Sequence, residues 1–187
     1  MTVVGSADIP VRSGAPCVVV MGVSGTGKTT TARLLALRLG VPFADADDLH
    51  PRANITKMAA GVPLDDSDRE PWLASVGAWL RARATDGTGG VIACSALKRR
   101  YRDLLRAGAS GTFFLLLTAD RNELLARISE RAEHFMPPAL LDSQLVALEP
   151  LQPGEWGVAL HGSRDAEHAV AVALRSLRED TTAPDPG

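Results

Sequence analysis

The stretch GVSGTGKTTT, residues 22–31, admits very few folds. It follows the apolar run Cys17-Val18-Val19-Val20-Met21 and precedes Ala32, Leu35, Ala36 and Leu39 at helical spacing. The run does not alternate with polar residues, which suits a strand covered on both faces. Gly40 suits the helix stop. Between strand and helix, Gly22 to Thr29 satisfies G-x-x-x-x-G-K-[ST] in full. Glycines let successive N–H groups point at one anion, and the helix adds its positive end. The loop packs poorly because its partner is a triphosphate. Gly22, Val23, Ser24, Gly25, Thr26, Gly27, Lys28, Thr29 and Thr30 are expected to hold ATP, with Lys28 on the β- and γ-phosphates and Thr29 on Mg²⁺.

The rest of the chain alternates between the two kinds of element. Strands are predicted over VPFADAD (41–47), VIACS (91–95), TFFLLLT (112–118) and WGVALHG (156–162). Helices are predicted around 54–60, over 67–83, and over 97–108, 121–135, 137–149 and 165–180. Ser67 and Glu70 form a capping box for the second of these, with Pro71 in its first turn. The pattern predicts an α/β fold of the P-loop NTPase type: a parallel sheet flanked by helices. A length of 187 residues suggests one domain, read as 16–178, with disordered tails at 1–15 and 179–187.

A net charge of -2 gives no general pull toward nucleic acid or membrane. Cys17 and Cys94 both lie in apolar runs and read as buried small hydrophobes. The N-terminus lacks the apolar core of a signal peptide and no run reaches spanning length, so a cytoplasmic protein is expected.

A phosphate loop does not say what happens to the phosphate. The guanine-reading N-K-x-D is absent, and VIACS ends in Cys94 and Ser95 where a motor ATPase would end in an acid. Asp45 and Asp47 instead fit a small-molecule kinase. In an extended segment they point the same way, at the tip of a strand expected to neighbour the P-loop strand. One can bind Mg²⁺ and the other accept the proton of an attacking hydroxyl. The plain alternative is a solvated acidic turn. Arg127 and Arg131 share a helix face, suited to a polyphosphate between them, although Glu123 offers Arg127 a surface ion pair. Residues 127–138 read as a mobile lid that keeps water from the phosphoryl group.

DADDLHPRANITKMAAGVPLDDSDREPW, CSALKRRYRDLLR and the R-x-x-x-R-x-x-H-F lid together resemble the small P-loop gluconokinases over residues 17 to 175. These are similar in fold to shikimate kinase and the nucleoside monophosphate kinases. The resemblance implies ATP-dependent phosphorylation of D-gluconate at O6, with Mg²⁺, commonly by a homodimer. It assigns Asp47 to the acceptor hydroxyl, Asp45 to the metal with Thr29, and Arg127 and Arg131 to the lid. Lys28, Asp47, Arg127 and Arg131 are thus the expected catalytic set.

A sugar acid needs a cation and several donors. His50, Arg52 and Lys57 (with Asn54) follow the catalytic strand, Ser95, Lys98 and Arg102 follow the next, and His134 lies in the lid. The alternatives stand beside them: His50 as a turn cap, and Lys98 to Arg102 as a solvated helix face. Asp65, Asp66 and Asp68 read as helix-start residues, and Trp72 and Trp79 as core or dimer contacts. Gln144 and Glu149 match the family without a physical role of their own. The rival readings are a kinase for another small hydroxy acid such as shikimate, and an ATP-binding regulatory module without transfer.

Overall fold

The computed structural model describes residues 2–4, 14–130, 138–162 and 165–179. Its strands are β1 (Thr2–Val4), β2 (Cys17–Met21), β3 (Phe43–Asp45), β4 (Gly90–Ala93), β5 (Phe113–Thr118) and β6 (Gly157–His161). Its helices are α1 (Lys28–Leu39), α2 (Arg52–Ala59), α3 (Asp66–Thr85), α4 (Arg99–Gly108), α5 (Arg121–Ser129), α6 (Pro138–Ala147) and α7 (Ala166–Glu179). A 3₁₀ turn, Ala46–Leu49, follows β3 directly. The sheet order is β1-β6-β5-β2-β4-β3, with β2 to β6 all parallel.

β2 shows why the apolar runs need not alternate. Val18 and Val20 pack on one face with Ala32, Leu35 and Ala36 of α1 and with Ala169, Val170 and Ala173 of α7. Val19 and Met21 pack on the other with Trp72, Leu73, Val76 and Leu80 of α3 and Tyr101 and Leu105 of α4. Both faces are covered, so every position of β2 is buried. A third cluster joins Val23 and Leu97 to Leu124 and Ile128 of α5 and Leu141 of α6, anchoring the loops above the strand ends.

The structure corrects the expected layout at three places. β3 pairs with β4, not with the P-loop strand, because the β2–α1–β3 crossover leaves a place that β4 fills. β3 also stops at Asp45, two residues early, where that side chain caps the 3₁₀ turn by accepting the Asp47 N–H at 3.1 Å. Within the span read as an N-terminal tail, Thr2–Val4 pairs antiparallel with Gly157–Ala159, a β-branched segment that occupies the open edge of β6.

The cap of α3 moves as well. Asp65 and Asp68 form the reciprocal capping box, so Ser67 and Glu70 lie inside the helix and Pro71 falls in its second turn. Trp72 is buried in the core, and Trp79 packs half-buried against it, its ring so close over Gly90 that a Cβ there would strike it. No described helix is long and apolar enough to cross a membrane.

Candidate active site

The loop between β2 and α1 has the conformation its glycines permit. Gly22 has φ 140°, and a Cβ there would run into the Leu117 carbonyl. Gly27 has φ 89° and is the N-cap of α1, with no side chain capping the helix. The first N–H groups of α1 therefore open toward the loop, a ready anion receptor with no acidic residue in its first turn. Thr26 Oγ1 and Lys28 Nζ both donate to the Val23 carbonyl, at 2.9 and 3.0 Å, which folds the loop on itself.

Asp45 reaches this loop even though β3 is not adjacent to β2. Helix α1 runs across both β4 and β3, so Thr29 in its first turn hangs over the end of β3. Thr29 Oγ1 donates to Asp45 Oδ2 at 2.9 Å. This hydroxyl–carboxylate pair is an all-oxygen donor set, the kind that suits Mg²⁺. Among the described residues no group of three or more His, Cys, Asp or Glu could hold a metal.

Asp47 is the second residue of the 3₁₀ turn, with its side chain largely exposed to solvent. Cys94, just past β4, lies within the fields of both carboxylates and of the loop lysine. Burial pushes its thiol up to about 12, Asp47 and Asp45 push the same way, and Lys28 opposes them. Lys28 follows β2, and Asp45 and Asp47 lie at the end of β3 and in the turn after it, so all three sit at the carboxyl end of the sheet. That end of an open α/β sheet is where such folds bind their ligands. Cys94 itself stays an inert thiol.

His50 lies against Trp72 with ring centroids 4.3 Å apart and planes 11° from parallel. Trp72 is held by its Nε1–H donating to the Ala46 carbonyl at 2.6 Å, so one α3 side chain supports both the turn and the histidine. His50 Nε2 faces Asp47 Oδ1 at 4.0 Å. The imidazole is 4% exposed, and this burial, with the Arg69 charge in a lesser role, brings its pKa down from 6.5 to about 4. As pH falls below about 6.5 the unfolded chain takes a proton that the folded ring refuses until about pH 4. The folded state is therefore expected to lose stability across that window. Asp65 and Asp142 are held below the ordinary carboxylate range by hydrogen bonds from Ser67 and Arg121, so their losses fall lower still. Thermal unfolding followed from pH 7 to 4 checks this: a His50→Gln variant should show a flatter decline than wild type.

The remaining candidates divide. Lys57 pairs with Asp68 at 2.6 Å, and Lys98 with Asp66 at 2.9 Å. Asp66 also holds Arg100 and the Tyr101 hydroxyl, so these acids tie α2 and α4 to the start of α3. Arg52 is exposed on the first turn of α2. Ser95 accepts the Gly22 N–H through its carbonyl at 3.4 Å, linking the two loops. The next residue, Ala96, is buried at φ 40°, a left-handed conformation costly for alanine. Arg127 makes the ion pair offered as its plain alternative, with Glu123 at 2.6 Å, and it also donates to the Gly25 carbonyl of the P-loop at 3.4 Å. Arg131, His134 and most of the expected lid lie outside the described residues.

Arg102 is a correction. It is fully buried, bidentate with Glu155 at 2.6 and 2.8 Å, and it donates further to the carbonyls of Leu97, Glu149 and Pro150. No donor is left to face a substrate. A lone Arg102→Met change strands the Glu155 carboxylate in the core and is expected to cost about 3 kcal/mol in urea unfolding. Pairing it with Glu155→Leu should restore much of that.

Sequence reasoning gave Gln144 and Glu149 no role, and both have one. Gln144 Oε1 accepts the Ser24 N–H at 2.8 Å, fastening α6 to the P-loop. Glu149 Oε2 accepts the Arg99 N–H at 2.6 Å, and its own N–H donates to Leu97 O at 2.8 Å. Their partners lie 120 and 50 positions away, so no local pattern marks them.

A phosphate loop set beside two carboxylates, on a parallel sheet with helices on both faces, defines a P-loop kinase of the small-molecule type. The shikimate kinase family profile matches residues 24–149. A gluconokinase of Gluconobacter oxydans is 44% identical over 162 residues, covering 87% of this chain and 91% of that protein. The crystal structure of a sugar kinase from Janibacter superposes with a TM-score of 0.83 at 46% identity, covering 89% and 96% of the two chains. A gluconokinase from Sinorhizobium meliloti gives 0.80 at 40%, covering 91% and 95%. The chain belongs to the gluconokinase family.

Proposed function

We propose that this protein transfers the γ-phosphoryl group of ATP to O6 of D-gluconate, giving 6-phospho-D-gluconate and ADP. The observation that carries this reading is the Thr29–Asp45 hydrogen bond, which ties the phosphate loop to the turn holding Asp47. The loop residues 22–30 and the open end of α1 bind the phosphates. Lys28 and Arg127, with Arg131, offset charge on the moving group. A magnesium ion bound at Thr29 and Asp45 would neutralise phosphate oxygens. Asp47 takes the O6 proton as that oxygen attacks in line and the bond to the bridging oxygen of ADP breaks.

The acceptor is a polyhydroxy carboxylate, and the turn-to-α2 segment and the loop after β4 supply matching chemistry. His50, Arg52, Lys57, Ser95 and Lys98 offer donors and cations on the acceptor side, with Arg102 removed from the set. A panel of sugar acids and shikimate with coupled ADP detection tests the reading. Gluconate should exceed every other acceptor; ADP release with shikimate alone, or with none of them, would overturn it. A cytoplasmic homodimer is part of the same proposal, and sedimentation at micromolar concentration tests the dimer.

A further inference from the structure

Asn54 is buried on α2, although its amide is polar. Its Nδ2 lies 2.7 Å from the Asp68 carbonyl and 3.3 Å from His50 Nδ1. A carbonyl only accepts, so the amide must turn its nitrogen that way; the network assigns the orientation. An amide nitrogen carries two hydrogens and accepts none. The second is therefore offered to His50 Nδ1, which must answer with its lone pair. In a neutral imidazole the ring proton is then on Nε2.

The ring has little freedom to choose otherwise. One face is stacked on Trp72, which is itself hydrogen-bonded to the turn. The Nε2 edge looks toward Asp47 Oδ1 at 4.0 Å, beyond hydrogen-bond length. The charged groups around it are Asp47 on the 3₁₀ turn and Arg69 on α3. A ring with its lone pair on Nε2 would turn that pair toward a carboxylate and toward the oxygens of the acceptor. A doubly protonated ring would stabilise the Asp47 anion and make it a poorer proton acceptor. Only the neutral Nε2–H form gives a donor without weakening the base.

We propose that Asn54 is a positioning residue that locks His50 in the Nε2–H tautomer, so that the ring donates to an oxygen of the hydroxy-acid acceptor beside Asp47. The proposal rests on the acceptor-side reading of Asp47.

Long-range ¹H–¹⁵N correlation spectra of the ¹⁵N-histidine-labelled full-length enzyme at neutral pH read the tautomer directly. The His50 signals are those lost in a His50→Gln variant. The expected spectrum shows one neutral form, protonated at Nε2 with a bare Nδ1. An Nδ1–H form, a mixture of the two, or a charged ring overturns the proposal. Asn54→Asp puts an acceptor opposite Nδ1 and should move the proton there. Turnover should then fall about 10- to 100-fold with the KM for ATP unchanged. His50→Gln, whose side-chain amide offers an N–H from the ε position, should keep more turnover than His50→Leu; equal losses count against the donor role. If Asn54→Asp does not fold, the wild-type spectrum still decides. That spectrum needs no substrate, so a failed acceptor panel and a failed tautomer assignment are separate results.

Discussion

An Asp47→Asn enzyme is expected to bind ATP as the wild type does and to turn over about 10²- to 10⁴-fold more slowly. Asparagine keeps the size and polarity of the side chain but cannot take a proton from an attacking alcohol. The change should leave the fold alone, since the carboxylate is 84% exposed and the 3₁₀ turn is capped by Asp45 instead. The phosphate loop does not depend on Asp47 either: Thr29 bonds to Asp45, and Lys28 to the Val23 carbonyl. Nucleotide titration, thermal unfolding and single-turnover transfer to gluconate separate the three properties. The loss should appear in the transfer step alone. Turnover near the wild-type rate would remove Asp47 from the chemistry and, with it, the proposed orientation of the acceptor.

The parts of this site that could be read from sequence are those whose chemistry is local. The P-loop is a contiguous run between a strand and a helix, and its glycines Gly22, Gly25 and Gly27 all take positive φ. The carboxylates do not have the geometry that the sequence predicts for them. An extended segment would have aligned Asp45 and Asp47, but Asp45 caps a 3₁₀ turn and so ends the strand. The reach from β3 to the P-loop likewise depends on α1 crossing over β4, which strand spacing alone does not reveal. Arg102 shows the opposite failure. Within LKRRYRDLLR its charge resembles that of its neighbours, and only Glu155, 53 residues on, turns it into a core residue. Asn54 reads from sequence as one more polar group after the catalytic strand, because its particular meaning comes from Asp68 and His50 together.

Lys28→Ala is expected to abolish measurable transfer, with a loss of about 10³-fold or more, while the protein stays folded. The lysine is the first residue of α1 and only partly buried, and alanine is at least as good a helix former there. What is lost is a compact cation at an uncapped helix start whose next residue, Thr29, bonds to Asp45. That charge matters most when negative charge gathers on the transferring group, so it should depress turnover more than nucleotide affinity. Lys28→Arg offers the sharper control. It keeps the charge but replaces a rotatable ammonium with a wide planar fork, on a loop drawn tight by Thr26 and by Lys28 itself. If the role is a point charge in a narrow loop, arginine should rescue little of the lost turnover. Substantial rescue would mean that bulk positive charge near the phosphates is enough, and that the geometry of the loop contributes less than its sequence suggests. Circular dichroism and nucleotide titration on both variants, beside single-turnover rates, distinguish these outcomes from simple misfolding.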